Sequence, residues 1–408
     1  MVVGLVETAV PAAKSTVSSA VKKPTTLSSD PIINVARGDP TIYEPYWKKM
    51  GDRCKVVIAG DEFMSYFYNA MNLCWFLLPE LDNAIRTLHR VVGNAMVDDD
   101  KFIVVGNGST QLFHALLYAL SSPDMPEPIN VVAAAPFYSV SIQLQPLQSY
   151  PEETKFLRSE LYKWAGDANC YDRDEPYIEV VTSPNNPDGS IRGTVENREG
   201  GKAIHDVAYY WPQYAPITSK ADHDAMLFTF SKATGHAGTR IGWAIVKDKV
   251  IAAKMVKFIE VSSIGVSREA QLRAAKVLGF IADDCRNPDV KGENFFEYGR
   301  RLMSERWGKL REVGMKSNGV FSLPKYPRDY CKFTGEYTDS NPAFAWLKSK
   351  EGLNCENLLR DESKIISRGG PSFGVDSTYT RVSMLSRDVE FELLLERLAA
   401  VKGTVNGN

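Results

Sequence analysis

The sequence predicts an α/β protein in which a large domain on a mostly parallel sheet precedes a smaller α+β domain. From about residue 80, apolar segments with helical spacing alternate with short, continuous apolar runs. Such runs are typical of strands that are buried on both faces of a parallel sheet. After about residue 250 the pattern is helical, and it then mixes short strands with helices. A chain of 408 residues is also longer than one small core requires.

The elements follow in order along the chain. In the first part, helices are predicted at residues 80–92 and 111–120, the second opened by Ser109 and Thr110. Strands are predicted at residues 102–105, 129–135, 177–182, 203–209, 225–230 and 241–246. In the second part, helices are predicted at 249–259, 268–281, 293–313 and 388–401, with strands at 343–347 and 381–384.

These elements predict four segments. Residues 61–290 form the large domain and 291–402 the small one, with 31–60 packed on the small domain. Residues 1–30 are rich in Ala, Ser, Thr and Val and are predicted to be a disordered tail. A cytoplasmic location is expected, with a plastid as the alternative if this tail is a transit peptide, although it contains no arginine.

The composition argues against several functional classes. A net charge of −2 gives no electrostatic case for nucleic-acid binding. No apolar run approaches the roughly 20 residues that span a bilayer. The six cysteines are scattered singly, which favours a reducing compartment, and the five histidines show no metal-ligand spacing. We therefore expect no metal, no membrane partner and no nucleic-acid partner.

The most informative segment surrounds Lys232, which ends an apolar, β-prone run. Burial lowers the pKa of a lysine and frees its amine as a nucleophile. The hydroxyls of Thr229 and Ser231 and the guanidinium of Arg240 suit a dianionic phosphate. Together these residues indicate a Schiff-base lysine beside a phosphate site, which is what a pyridoxal-phosphate enzyme needs.

Two further motifs follow predicted strands. Residues 183–189, Ser-Pro-Asn-Asn-Pro-Asp-Gly, are either an ordinary turn or a rigid loop whose asparagine donates to a cofactor oxygen. Asp206 is costly in an apolar strand unless it is paired, and a protonated pyridine nitrogen is a suitable partner. Tyr209 could then hydrogen-bond the phenolate oxygen of the ring. The alternative is that Asp206 only caps a helix.

Three more candidates complete the set. Ser109 and Thr110 open a helix whose N-terminus either binds a phosphate or is simply capped. Phe137 or Tyr138 either stacks on a flat cofactor ring or packs in the core. Arg381 enters an apolar strand and either clamps a substrate carboxylate or forms a structural ion pair.

The order of these motifs resembles that of the fold-type I pyridoxal-phosphate enzymes of the aspartate-aminotransferase superfamily. More narrowly, the chain resembles the plant alliinase-like group, which includes tryptophan aminotransferases. The resemblance runs from about residue 31 to 400 and is most specific at residues 228–243. The other segments that carry it are residues 38–41, 46–47, 64–67, 108–111, 182–189, 205–212 and 381–387.

The resemblance implies a role for each matching residue. Lys232 matches the Schiff-base lysine, Asp206 the partner of the ring nitrogen, and Tyr209 and Asn186 the groups on the phenolate oxygen. The phosphate site is matched by Ser109, Thr110, either Thr229 or Ser231, and Arg240. The ring-stacking aromatic is matched by Tyr138, with Phe137 as the alternative, and the α-carboxylate site by Arg381. Tyr66 matches a tyrosine that reaches the cofactor of the neighbouring subunit, which implies a homodimer.

The implied activity is amino transfer from L-tryptophan to a 2-oxo acid such as pyruvate, giving the auxin precursor indole-3-pyruvate. An alliinase-type carbon–sulfur lyase and an aminotransferase for another aromatic amino acid remain open, because the cofactor residues are shared. Alliinases carry a cysteine-rich module before the catalytic domain, and residues 1–30 contain no cysteine, which weakens the lyase alternative. A catalytically silent homologue or a nicotinamide-dependent oxidoreductase is disfavoured by the Lys232, Asp206 and Arg240 set.

Overall fold

A seven-stranded, mostly parallel sheet forms the centre of the structure. The structure is a computed structural model that describes residues 31–67, 71–122, 124, 126–142, 145–156, 159–195, 198–287, 292–316, 319–350 and 352–401. The α-helices within these residues are α1 Glu44–Met50, α2 Pro79–Val92, α3 Ser109–Leu120, α4 Tyr150–Phe156, α5 Phe230–Thr234, α6 Lys249–Ser263, α7 Arg268–Arg286, α8 Phe295–Lys316, α9 Cys355–Ser363 and α10 Asp388–Ala400. The predicted tail at residues 1–30 lies outside the described residues.

The strands of the described residues are distributed over one large and several small sheets. They are β1 Ile33–Asn34, β2 Phe102–Gly106, β3 Ile129–Ala133, β4 Ser139–Ile142, β5 Gln145–Ser149, β6 Tyr162–Asp167, β7 Tyr177–Thr182, β8 Lys202–Asp206, β9 Ala225–Thr229, β10 Gly242–Val246, β11 Phe321–Ser322, β12 Arg328–Cys331, β13 Glu336–Asp339, β14 Phe344–Ser349, β15 Ile365–Ile366, β16 Arg368–Gly369 and β17 Tyr379–Ser383. No helix of these residues has both the length and the apolar character that crossing a bilayer requires.

The order of the central sheet is β2-β10-β9-β8-β7-β3-β6, and only β10 runs antiparallel to its neighbours. Strands β3, β7 and β9 are buried along their whole length, as the continuous apolar runs predict. The α/β fold class is confirmed. Because β2, β3, β7, β8 and β9 point the same way, the segments that follow them emerge at one edge of the sheet. Open α/β sheets bind ligands at this edge.

Two predicted strands end two or three residues earlier than expected. The run at 203–209 ends as a strand at Asp206, because the backbone turns there and the N–H of Tyr210 donates to the carbonyl of Val207 at 3.0 Å. The run at 129–135 ends at Ala133, before Pro136. The edge strand β6 and helix α4 were not predicted, since neither contains a long apolar run.

The later part of the chain contains a four-stranded antiparallel sheet of order β11-β14-β17-β16. Helices α8 and α10 pack against each other in this part. The segment at residues 31–60 reaches it through β1, which pairs in parallel with β15, and through the carbonyl of Val35, which accepts from the N–H of Ser383 at 2.8 Å. The domain boundaries at residues 60 and 290 stay predictions.

Candidate active site

A cavity lies at the edge of the central sheet where β7, β8 and β9 end. It is lined by Ser109, Thr110 and Thr229, which the sequence assigned to a phosphate site. It is also lined by Tyr138, Asn186, Asp206, Tyr209 and Lys232. Eight residues that the sequence placed in one site are therefore neighbours in the wall of one cavity, although they come from five separate segments of the chain.

Helix α5 fixes the position of Lys232. Thr229 caps this helix, and its hydroxyl accepts from the N–H of Ser231 at 3.2 Å. The Nζ atom of Lys232 donates to the carbonyl of Gly38 and lies 5.9 Å from the centre of the Tyr209 ring. Burial, reinforced by the charge of Arg381, lowers the pKa of the Lys232 ammonium to about 8. The amine is therefore partly neutral near physiological pH.

Asp206 presents its carboxylate to the same cavity. Its Oδ1 atom accepts from the backbone N–H of Ala208 at 3.1 Å, and its Oδ2 atom accepts from the hydroxyl of Tyr150 at 3.1 Å. The Tyr150 hydroxyl also lies 2.6 Å from the Oγ1 atom of Thr182. Burial raises the pKa of Asp206, while the two hydrogen bonds and Lys232 oppose that rise. A cation placed beside this carboxylate would relieve the cost of burying its charge.

Asn186 and Tyr209 flank the cavity on the side of Arg381. The Oδ1 atom of Asn186 accepts from the Nη1 atom of Arg381 at 2.8 Å. Its buried Nδ2 atom has no hydrogen-bond partner among the described residues. Burial raises the pKa of the Tyr209 hydroxyl, so this group is a proton donor at neutral pH. The cavity thus offers two donors where the sequence predicted contacts to a cofactor oxygen.

The predicted phosphate residues meet at the start of α3. Ser109 and Thr110 are its first two residues, where the backbone N–H groups have no partner within the helix. The guanidinium of Arg240 lies against Gly108, the N-cap. A Cβ at Gly108, whose φ is +82°, would lie 2.4 Å from the Nη2 atom of Arg240. A glycine is therefore required both by the backbone conformation and by the close approach of the arginine.

The two aromatic candidates take different positions. Tyr138 lines the cavity, and its ring centre lies 5.4 Å from that of Tyr150. Phe137 packs away from the cavity, with its ring centre 5.3 Å from that of Trp164 and its edge against Gly374. This geometry favours Tyr138 over Phe137 as the residue that faces a flat ligand.

Four predicted site residues do not line the cavity. Arg381 lies behind Asn186, fully buried, with its guanidinium 4.0 Å from the centre of the Phe344 ring. Ser231 is buried in α5, and Arg240 is exposed and lies beside Gly108. Tyr66 is 72% exposed on a surface loop, where its carbonyl accepts from Arg268 at 2.7 Å. This chain alone does not bring Tyr66 into the cavity.

Four residues in or near the cavity were assigned no role from the sequence. Tyr150 and Glu153 belong to α4, a seven-residue helix with no apolar periodicity. Thr182 ends β7 and belongs to a segment that carries the family resemblance, but no contact was predicted for it. Gly38 places its carbonyl against the Lys232 amine, and a Cβ there would lie 2.7 Å from the Phe344 ring. The sequence offered no means of predicting these contacts, because they join segments far apart in the chain.

Comparison with known proteins identifies the family. The Alliinase_C family model, described as Allinase, matches residues 33–402. The chain belongs to this family. It is 52% identical to "Tryptophan aminotransferase-related protein 2" of Arabidopsis thaliana over 91% of this chain and 82% of that protein. It is 36% identical to "Alliin lyase 1" of Allium sativum over 89% of this chain and 73% of that protein.

The solved structures place the fold among the fold-type I pyridoxal-phosphate aminotransferases. The aromatic aminotransferase from Pyrococcus horikoshii superimposes with a TM-score of 0.61, at 19% identity, over 91% of this chain and 95% of that chain. Members of the alliinase family and aminotransferases of this fold use pyridoxal phosphate. The predicted family, fold and cofactor are therefore confirmed.

The residues of the cavity fit this cofactor. The buried, unpartnered Nδ2 of Asn186 requires an acceptor, such as the ring's phenolate oxygen. The buried Asp206 carboxylate requires a cation, such as a protonated ring nitrogen. The backbone N–H groups at the start of α3 and the guanidinium of Arg240 are donors that a phosphate could use. They come close together because Gly108, which lies between them, has no side chain. The individual roles of these residues stay predictions.

Proposed function

We propose that the protein is an aminotransferase that moves the amino group of L-tryptophan to a 2-oxo acid such as pyruvate and so makes indole-3-pyruvate. The observation that carries this proposal is the Lys232 amine, which shares one cavity with the Asp206 carboxylate. The 52% identity to a protein named as tryptophan aminotransferase-related supports the amino-acid class, against 36% identity to an alliin lyase.

Bound pyridoxal phosphate supplies an aldehyde that can be joined to an amine and a ring that accepts the electron pair released when Cα loses its proton. The chain's own residues hold and move the protons. Lys232, whose pKa is lowered to about 8, can take the Cα proton as a neutral amine and return it to a neighbouring carbon. Asp206 holds a proton on the ring nitrogen by keeping a negative charge beside it.

Arg381 orients the substrate in this proposal. Its buried guanidinium already donates to Asn186 and to the carbonyl of Ser139, so its plane is fixed before a ligand arrives. A substrate α-carboxylate would form a bidentate pair with this plane in exchange for some of these contacts. Because the carboxylate is bonded to Cα, binding the carboxylate also positions Cα. The Lys232 amine must then come close enough to the Cα proton to remove it.

The discriminating experiment gives the cofactor-loaded protein two kinds of substrate. With L-tryptophan and pyruvate, we expect indole-3-pyruvate and alanine in equal amounts by liquid chromatography and mass spectrometry. With S-alkyl cysteine sulfoxides and no oxo acid, we expect no release of pyruvate. Pyruvate from the sulfoxides, without alanine formation from tryptophan, would replace this proposal by the carbon–sulfur lyase.

We also propose that the protein acts as a homodimer in which Tyr66 of one subunit completes the other subunit's phosphate site. The exposed position of Tyr66, away from its own chain's cavity, supports this arrangement. Light scattering should give twice the mass of the 45.4 kDa chain. A monomer with full cofactor affinity would contradict the homodimer.

We also propose that the protein is located in the cytoplasm. Imaging of the chain fused to a fluorescent protein at its C-terminus tests this location.

A further inference from the structure

Glu153 is a second acidic side chain in the wall of the cofactor cavity. It lies on α4, is only 6% exposed, and lines the same cavity as Asp206. Its Oε1 atom is buried and has no hydrogen-bond partner among the described residues. Its neighbour Glu152, on the same helix, is exposed. A buried carboxyl group of this kind is stable only if it is neutral or has a cation beside it.

The elements packed around α4 present no cation to Glu153 in the described part of the chain. On α3, the ring of His114 bonds to the backbone of Glu153, and burial lowers the pKa of this histidine. On β6, Lys163 faces Glu127 at 4.0 Å, and Asp167 accepts from a backbone N–H at 3.0 Å. Strand β5 contains no titratable residue.

Lys232 contributes a cation to the wall of this cavity, and its charge acts on Asp206; the other titratable side chains that line the cavity are acidic or neutral. Tyr138 and Tyr150 each have a raised pKa, chiefly because they are buried, and the charges of Glu153 and Asp206 add to that rise. Burial, and then the charge of Asp206, raises the pKa of Glu153 to about 8. Glu153 is therefore mainly the neutral acid at pH 7.

We propose that Glu153 is a positioning residue for Asp206: as a neutral carboxylic acid it limits the two acids to a single negative charge, which matches the single positive charge of a protonated ring nitrogen. An ionised Glu153 would leave one buried charge without a counter-ion. An apolar residue there would remove a polar neighbour of the Asp206 carboxylate. The proposal rests on the cofactor site of the proposed function and does not depend on which amino acid reacts.

The first test measures thermal unfolding of the full-length, cofactor-free protein from pH 5 to pH 8.5. A carboxyl group whose folded pKa is raised above its unfolded value stabilises the fold at low pH, and this stabilisation is lost as pH rises to the folded value. The Glu153→Gln variant has no such carboxyl group and so does not lose stability in this way. The Tm of the variant minus the Tm of the parent should therefore increase by a few degrees between pH 5 and pH 8.5. The control Glu152→Gln should show no such trend.

The second test uses the cofactor-loaded protein at pH 6.5, where Glu153 is neutral. Glu153→Gln, which keeps a neutral polar group, should retain the visible absorption band and bind pyridoxal phosphate within about twofold of the parent. Glu153→Leu should bind it roughly tenfold more weakly, because the variant removes the neutral polar group beside the Asp206 carboxylate and so leaves that buried charge less well stabilised. Rescue by Gln and not by Leu separates a neutral polar role from simple filling of space.

Three outcomes would overturn the proposal. They are a Tm difference between Glu153→Gln and the parent that does not change with pH, a tenfold loss of cofactor affinity in Glu153→Gln, and equal affinities for Gln and Leu. A parent protein that shows no visible band with pyridoxal phosphate would instead refute the cofactor site. Even then, the cofactor-free pH profile would decide whether Glu153 is neutral at pH 7.

Discussion

Arg368 and Arg381 lie directly opposite each other on the antiparallel strands β16 and β17, and both are buried. They share Ser139, whose Oγ atom accepts from the Nε and Nη2 atoms of Arg368 at 3.1 and 2.6 Å. The carbonyl of the same serine accepts from the Nη1 atom of Arg381 at 3.0 Å. Burial is the main reason that the pKa of Arg381 is lowered, to about 10, and the charge of Arg368 adds to this. The charge of Glu356 partly offsets that of Arg368, but two buried guanidinium groups side by side still favour the arrival of an anion at Arg381.

The first prediction compares these two arginines. Arg381→Lys should raise the KM for the amino acid roughly tenfold to a hundredfold, since a lysine cannot form the bidentate pair with a carboxylate. Arg368→Lys should change KM by less than about threefold, because one donor can still reach Ser139. Steady-state kinetics, with the cofactor absorbance as a check on loading, measures both. A larger increase in KM for Arg368→Lys than for Arg381→Lys would show that Arg381 does not bind the substrate carboxylate.

The second prediction concerns the hydrogen bond from Tyr150 to Asp206. In Tyr150→Phe the Asp206 carboxylate loses the donor at its Oδ2 atom, and the pKa of Asp206 rises further. We expect pyridoxal phosphate to bind roughly tenfold more weakly, because a hydrogen bond to a charged group contributes about 1.5 kcal/mol. Fluorescence titration measures this affinity. The control is Tyr118→Phe, near the C-terminal end of α3. Equal affinity for both variants would mean that Tyr150 does not support Asp206.

The third prediction is a pH dependence. The pKa of Lys232 in the folded, cofactor-free protein is about 8, below the 10.5 of an ordinary lysine. Below pH 8 the folded state therefore holds a buried ammonium, and stability recovers as pH rises from 8 to 10.5. Lys232→Met should raise Tm most below pH 8, and this gain should shrink above it. The exposed control Lys249→Met should give a shift that does not vary with pH. A constant gain for Lys232→Met would contradict the lowered pKa.

The fourth prediction separates strain from ligand binding at Gly108. Gly108→Ala places a Cβ against Arg240, whereas Gly93→Ala, at a similar φ of +73°, meets no atom within 4 Å. Gly93→Ala should lose about 1 kcal/mol of stability from its left-handed backbone, and Gly108→Ala should lose more, because a φ of +82° with a ψ of 171° is a conformation that essentially only glycine adopts. Only Gly108→Ala should also lose affinity for pyridoxal phosphate, by at least about tenfold, because the arginine must move. Similar affinity losses in both would show that Arg240 is not part of the phosphate site.

The sequence could place residues in one cavity where each of them ends or closely follows a strand. Asp206 ends β8, and Ser109, Asn186 and Lys232 come shortly after β2, β7 and β9; parallel strands place such residues at one edge of the sheet. Short apolar runs bounded by Gly, Pro and polar residues were sufficient to find those strands. The tail, the domain boundaries and the homodimer stay predictions.

Other parts of the site could not be predicted from the sequence. Tyr150 and Glu153 reach the cavity because a hairpin of β4 and β5 returns the chain to the sheet before α4, and no local pattern encodes that return. The register that sets Arg368 opposite Arg381 depends on long-range strand pairing. The residues next to Glu153 in the sequence are polar, which is typical of a residue on the protein surface. The burial of Glu153 depends on tertiary packing alone.

The central claim is that the Lys232 amine is joined covalently to the cofactor. The most direct measurement is borohydride reduction of the cofactor-loaded protein, followed by proteolysis and mass spectrometry of the peptides. We expect one pyridoxyl-phosphate adduct, on the peptide that contains Lys232, and its loss in Lys232→Ala. An adduct on another lysine, or no adduct at all, would show that Lys232 does not bind the cofactor covalently.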